Sequence, residues 1–245
     1  MAAFAAVLAL GCAPAAAEMQ FSAYFGYGPS HDSDVTVTQP NGTNITLGGV
    51  NWDDDSFNPD SGPPYYGLRL TYWKPAKPNW GIALDYTHAK VKPDLAQTVA
   101  ANGTRDGAAV NGQEPLSNTV SKLEFTDGLN LLTLNLLYRW DKPNHWTPYV
   151  GAGAGLSIPH VEFRRNNGGP QTFEYQVTGA AVQALAGLEK RFNDRWGVFG
   201  EYKISYAQNE ADLAGGGTLE TDIFTHHLIF GLSYHFGGRS EATYK

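Results

Sequence analysis

The chain has 245 residues, a net charge of −7 and only 17% charged residues, beside 28 glycines and 13% aromatics. An acidic chain without a basic stripe has nothing to offset phosphate charge, so a nucleic-acid partner is excluded. No run of about 18 apolar residues follows the N-terminal segment, so no helix is expected to cross a membrane; a wall of strands needs only every second residue apolar.

Residues 1–17 read as a secretory signal, with an apolar stretch from Phe4 to Leu10 and the small residues Ala15, Ala16 and Ala17 before Glu18. Cys12 is the only cysteine. Residues 18–245 are therefore expected to form one barrel domain without disulfide or thiolate chemistry.

Period-two alternation predicts eight strands, near 19–29, 65–73, 80–90, 123–140, 147–158, 177–192, 196–207 and 223–236. Short turns join the second strand to the third, the fourth to the fifth and the sixth to the seventh. Each turn has aromatic feet: Trp73 and Trp80, Trp140 and Trp146, Phe192 and Trp196. A membrane–water boundary selects such rings, because an indole is apolar while its N–H wants water. The gaps 30–64, 91–122, 159–176 and 208–222 are long, polar and rich in Gly, Asn and Asp, and read as loops. Short turns at one rim and long loops at the other are the pattern of a bacterial outer-membrane barrel. The expected fold is all-β: a monomeric, eight-stranded, antiparallel, up-and-down transmembrane β-barrel. Its fourth strand is longer than the roughly ten residues a span needs and should project beyond the outer surface.

One parity of these strands is apolar, as in Trp80, Ile82, Leu84 and Tyr86, or Leu132, Leu134, Leu136 and Tyr138. The other carries Arg69, Asp85, Arg139, Glu189, Glu201, Lys203 and His235. In an eight-stranded barrel side chains fill the interior, so these charges are expected to pair into a plug rather than line a pore. A soluble lipocalin-like barrel would invert the two faces; the aromatic feet favour the membrane.

Gly151, Gly153 and Gly155 lack the spacing and following helix of a nucleotide loop, and no flavin or nicotinamide motif is readable. At the long-loop rim, His88, Asn130, His160 and Glu162 share the lipid-side parity on three neighbouring strands. Imidazoles and a carboxylate converging there could ligate a divalent metal ion, or could simply sit where water and lipid headgroups meet. His226 and His227 are adjacent, hence on opposite faces. The acidic loops, with Asp32, Asp34 and Asp53 to Asp55, read first as solubilising and second as holding cations beside anionic lipopolysaccharide.

The segments Pro63-Pro-Tyr-Tyr-Gly-Leu-Arg69, Leu84-Asp-Tyr-Thr-His88, Leu123-Glu-Phe-Thr-Asp127-Gly-Leu-Asn130 and Thr147-Pro-Tyr-Val-Gly-Ala-Gly153 resemble alphaproteobacterial outer-membrane β-barrel proteins of the lipid A oxidase-like group. The resemblance runs from about Phe21 to Phe236. It implies action on lipid A, the lipid anchor of lipopolysaccharide, by oxygen-dependent oxidation of the proximal glucosamine to aminogluconate. With no cysteine beyond Cys12 in the signal segment and no organic redox cofactor motif, a divalent metal is the physical expectation. In that reading His88, His160 and Glu162 hold the metal, and Asp127 or Asn130 orients the sugar. The alternative is a non-enzymatic surface or structural barrel of the outer membrane.

Overall fold

The computed structural model describes residues 18–237 apart from 59, 61 and 141–145. The signal reading of residues 1–17 and the tail after Gly237 lie outside the described residues. Fifteen antiparallel strands form in chain order: β1 (Glu18–Tyr27), β2 (Ser33–Gln39), β3 (Thr43–Val50), β4 (Asp53–Asp54), β5 (Tyr66–Lys74), β6 (Lys77–Lys92), β7 (Thr98–Arg105), β8 (Ala108–Pro115), β9 (Val120–Arg139), β10 (Trp146–Ser157), β11 (His160–Arg165), β12 (Thr172–Tyr175), β13 (Gly179–Arg191), β14 (Trp196–Asp212) and β15 (Thr218–Phe236). The ladder runs β1-β5-β6-β9-β10-β13-β14-β15, and β15 pairs again with β1, Met19 opposite Phe236 and Tyr27 opposite Leu228.

Alternation decides what each face meets. Leu84, Leu134 and Phe230 are 50%, 59% and 50% exposed on the outside of the wall, while Arg139 and Glu201 are 2% and 3% exposed within it. A buried charge is tolerated only when paired, and these are. Arg69 meets Glu201 at 2.6 Å and Asp85 at 3.0 Å; Lys203 stands 3.5 Å from Asp85. Arg139 and Arg191 both reach Glu18, and His235 bridges Glu18 and Glu189. The cavity left between Arg69, Trp73, Arg139 and Tyr149 measures about 10 Å³, room for a single water at most.

Two expectations are corrected. Trp73 is not an outward foot of its turn: it shares the inward parity of Arg69 and Thr71, is 4% exposed, donates to Gln20 Oε1 at 2.9 Å and lies under the Arg139 guanidinium. The other five rings of the three turns are exposed.

The long gaps are not loops either, because seven of the fifteen strands lie inside them. β2, β3, β7 and β8 continue the sheet from the top of β15, and β11 and β12 continue it from the top of β9. Val35, Val37, Ile45, Leu47, Phe125 and Phe163 pack there in a hydrophobic core. The extension thus buries apolar side chains inside, as a soluble sheet does, whereas the wall below buries charges and exposes apolar residues. Asp106, at φ 52°, ties the apex: its carboxylate accepts from Asn41 Nδ2 at 2.6 Å and from Arg165 at 2.6 Å, across three hairpin tips.

Candidate functional site at the outer rim

The site grows from a break in the β6–β9 ladder. Pairing is regular from Trp80 opposite Tyr138 up to Ala89 opposite Leu129, then shifts so that Val91 faces Phe125. The bulge holds Thr126, Asp127 and Gly128, and it lets β11 replace β10 as the upper partner of β9. A bulge re-aims side chains, and here it turns Asp127 outward toward β11. Gly128 is required: at φ 122° a Cβ would stand 2.5 Å from both His88 Nδ1 and Asn130 Oδ1.

Two groups result. In the first, Asn130 Nδ2 donates to Ile158 O at 3.1 Å, which fixes the amide orientation. Asn130 Oδ1 then accepts from the Tyr86 hydroxyl at 2.8 Å and from His88 Nδ1 at 2.9 Å. Tyr66 stacks on the His88 ring, centroids 4.8 Å apart. In the second, Asp127, His160 and Glu162 each place one ligand atom within 4.8 Å of the others. His160 Nδ1 faces Asp127 Oδ2 at 3.7 Å and Glu162 Oε1 at 3.6 Å, and is buried without a hydrogen-bond partner. Both distances are too long for a hydrogen bond. They suit a shared cation, because ligand atoms on a tetrahedral ion with bonds of about 2.1 Å stand roughly 3.4 Å apart. Lys122 reaches Glu162 at 3.3 Å and also pairs with Glu124, balancing part of this negative charge.

All five residues expected from the sequence thus lie on the outward side of the wall, the side of Leu84 and Leu134, but they are not bare to the surroundings. His88, Asn130, His160 and Glu162 are 3%, 4%, 6% and 5% exposed; Asp127 is half-exposed. Asp127, assigned from the sequence to orient a sugar, stands with His160 and Glu162, while His88 belongs to the group held by Asn130. The sequence marks Tyr86 only as an outward-facing residue of its strand and gives no role to Tyr66, Phe173 or Tyr175. The alternation Phe173-Glu-Tyr175 was the available signal, hidden in a segment read as loop. His226 and His227 do lie on opposite faces: His227 is fully buried between Tyr65 and Ser205, and His226 meets His31 outside.

The family profile described as outer membrane protein beta-barrel domain matches residues 2–236. Among solved structures, the chain is similar to Neisserial surface protein A (13% identity, 92% of this chain and 100% of that one, TM-score 0.46). It is also similar to OprG from Pseudomonas aeruginosa (12% identity, 90% and 96%, TM-score 0.44) and to Ail of Yersinia pestis (14% identity, 90% and 99%, TM-score 0.40). No curated protein matches the chain significantly. With nearly its whole length matched, the chain belongs to the outer membrane protein beta-barrel domain family and is a protein of the bacterial outer membrane.

Proposed function

We propose that this chain is an eight-stranded, up-and-down transmembrane barrel that acts on lipid A at the outer leaflet, oxidising its proximal glucosamine to aminogluconate. The observation that carries the reading is the buried, unpartnered Nδ1 of His160 between two carboxylates, on the side of the wall that meets lipid. That donor set, one imidazole and two carboxylates, fits a borderline divalent cation. When bound, a redox-capable cation supplies the route by which two electrons pass from sugar to dioxygen.

The balance of the reaction is fixed. The hemiacetal carbon loses its hydrogen and its hydroxyl proton with two electrons to dioxygen, giving a lactone and hydrogen peroxide; water then opens the lactone to the carboxylate. Asp127, His160 and Glu162 hold the cation. Asn130 fixes the His88 ring beside them, and this pair orients the sugar. The resemblance to the lipid A oxidase-like group supplies the substrate, and the acidic outer face supplies cation affinity.

The test is lipid A mass spectrometry from a Gram-negative host that lacks the modification and whose lipid A carries a free anomeric hydroxyl on the proximal glucosamine. Expression of the chain should add one oxygen to lipid A, and His160→Ala should abolish the gain. Unchanged lipid A with the wild-type chain would favour a non-enzymatic surface barrel. Full aminogluconate formation in both His88→Ala and His160→Ala would rule this site out.

A further inference from the structure

Among the described residues, β12 pairs with β11 alone, His160 opposite Tyr175 and Glu162 opposite Phe173. Paired residues share a face, so the two rings stand directly beside the imidazole and the carboxylate of the proposed site. Phe173 and Tyr175 are 58% and 61% exposed. Their centroids lie 4.5 Å and 4.7 Å from that of His160, at steep angles of 88° and 63°. Tyr175 is braced, because its hydroxyl donates to the Asp127 carbonyl at 3.1 Å. Residues two apart on a strand lie about 6.6 Å apart, so the rings form a continuous wall. On its inner side stand acceptors: Glu162 opposite Phe173, Glu124 opposite Glu162, and Asp127 beyond His160.

Exposed rings are costly in water, and a boundary belt of aromatics would account for them alone. It would not account for the carboxylates beside them. Lipid chains offer no hydroxyl to carboxylates. A sugar ring answers both features. One face of a pyranose is lined by axial C–H groups that pack on an aromatic ring, while its equatorial rim is a row of hydroxyl donors suited to carboxylate oxygens. We infer that Phe173 and Tyr175 form the wall on which a pyranose of a glycolipid headgroup stacks, with its hydroxyls directed to Glu162 and Asp127. This rests on the reading of the site given above, and names the residues that select its substrate.

The probe is a water-soluble β-1,6-linked glucosamine disaccharide titrated calorimetrically into the full barrel in detergent micelles; it has no acyl chains, so belt-type lipid contacts cannot contribute. Manganese binding to the same samples reports whether the cation site is intact. Phe173→Ala and Tyr175→Ala should each weaken disaccharide binding about tenfold, the loss of one aromatic contact, and leave manganese affinity unchanged. Tyr175→Phe, which keeps the ring, should retain most of the affinity. Wild-type affinity for the disaccharide in both alanine variants, or no saturable binding by the wild-type barrel, overturns the inference. Binding that is lost in the alanine variants while lipid A keeps its mass in cells would uphold the sugar wall and sink only the oxidase reading.

Discussion

Replacing Arg69 by methionine tests whether the charged parity is a sealed, mutually neutralised interior. Arg69, Lys203, Asp85 and Glu201 carry two charges of each sign within hydrogen-bonding reach. Without the guanidinium, Asp85 keeps Lys203, the Tyr24 hydroxyl at 2.8 Å and Gln183 at 3.0 Å, whereas Glu201 keeps only the Tyr149 hydroxyl at 2.8 Å. Glu201 then loses its direct ion pair and Lys203 is left as the one cation for two buried carboxylates, a change that costs about 3–5 kcal/mol. The double variant Arg69→Met/Glu201→Met removes the pair together and should recover to within about 1 kcal/mol of the wild type, since buried pairs exchanged for apolar groups are near neutral. Urea unfolding in lipid vesicles, followed by tryptophan fluorescence, measures both. A single variant costing under about 1 kcal/mol, or a double variant no better than the single, would refute the argument.

Leu134→Arg places a charge on the lipid side of the wall and should cost about 2–4 kcal/mol in the same unfolding assay; an unchanged midpoint would contradict its exposure to acyl chains. Gly128→Ala should weaken manganese binding by about ten- to a hundredfold, the range for disturbing the surroundings of metal ligands, with the barrel still folded by circular dichroism; unchanged affinity would show that the bulge does not position Asp127. The Asp106 carboxyl is held below the ordinary carboxylate range, chiefly by its hydrogen bond from Arg165. A depressed group contributes above its unfolded value of about 3.9 and loses that contribution as pH falls through the lower folded value. Amide protection factors at residues 41–43 and 165–169, corrected for the intrinsic exchange rate, should therefore stay constant from neutrality to about pH 5 and fall only below pH ~4; loss of protection already at pH 6 would contradict the clasp.

Much of the wall was legible because lipid and charge impose opposite demands on alternate residues. The stretch from Trp80 to Tyr86 reads as strand with its outward face already marked, and Asp85 could only point inward. The extension was harder to read. Val35 and Val37, Ile45 and Leu47, and Val99 and Ala101 alternate as cleanly, but they sit among Thr, Asn and Gly, in gaps that a barrel pattern assigns to loops. Trp73 misled for a related reason: an indole at a turn suits the boundary, yet its parity with Arg69 and Thr71 places it inside. At the rim, the sequence brought His88, Asn130, His160 and Glu162 to one side by parity. It could not foresee the bulge at Thr126–Gly128, because the extra residues are visible only once Val91 is paired with Phe125. That shift is what moves Asp127 to His160.

The most direct test of the account asks which side of the wall meets lipid and at what level the rim cluster lies. Nitroxide labels on Leu84→Cys, Leu134→Cys, Thr133→Cys and Phe173→Cys, in a chain with Cys12 replaced, would be read in lipid nanodiscs by their accessibility to oxygen and to a water-soluble nickel chelate. Positions 84 and 134 should be open to oxygen and closed to nickel, 173 open to both at headgroup level, and 133 closed to both. Nickel reaching 84 and 134, with 173 far out in water, would contradict it.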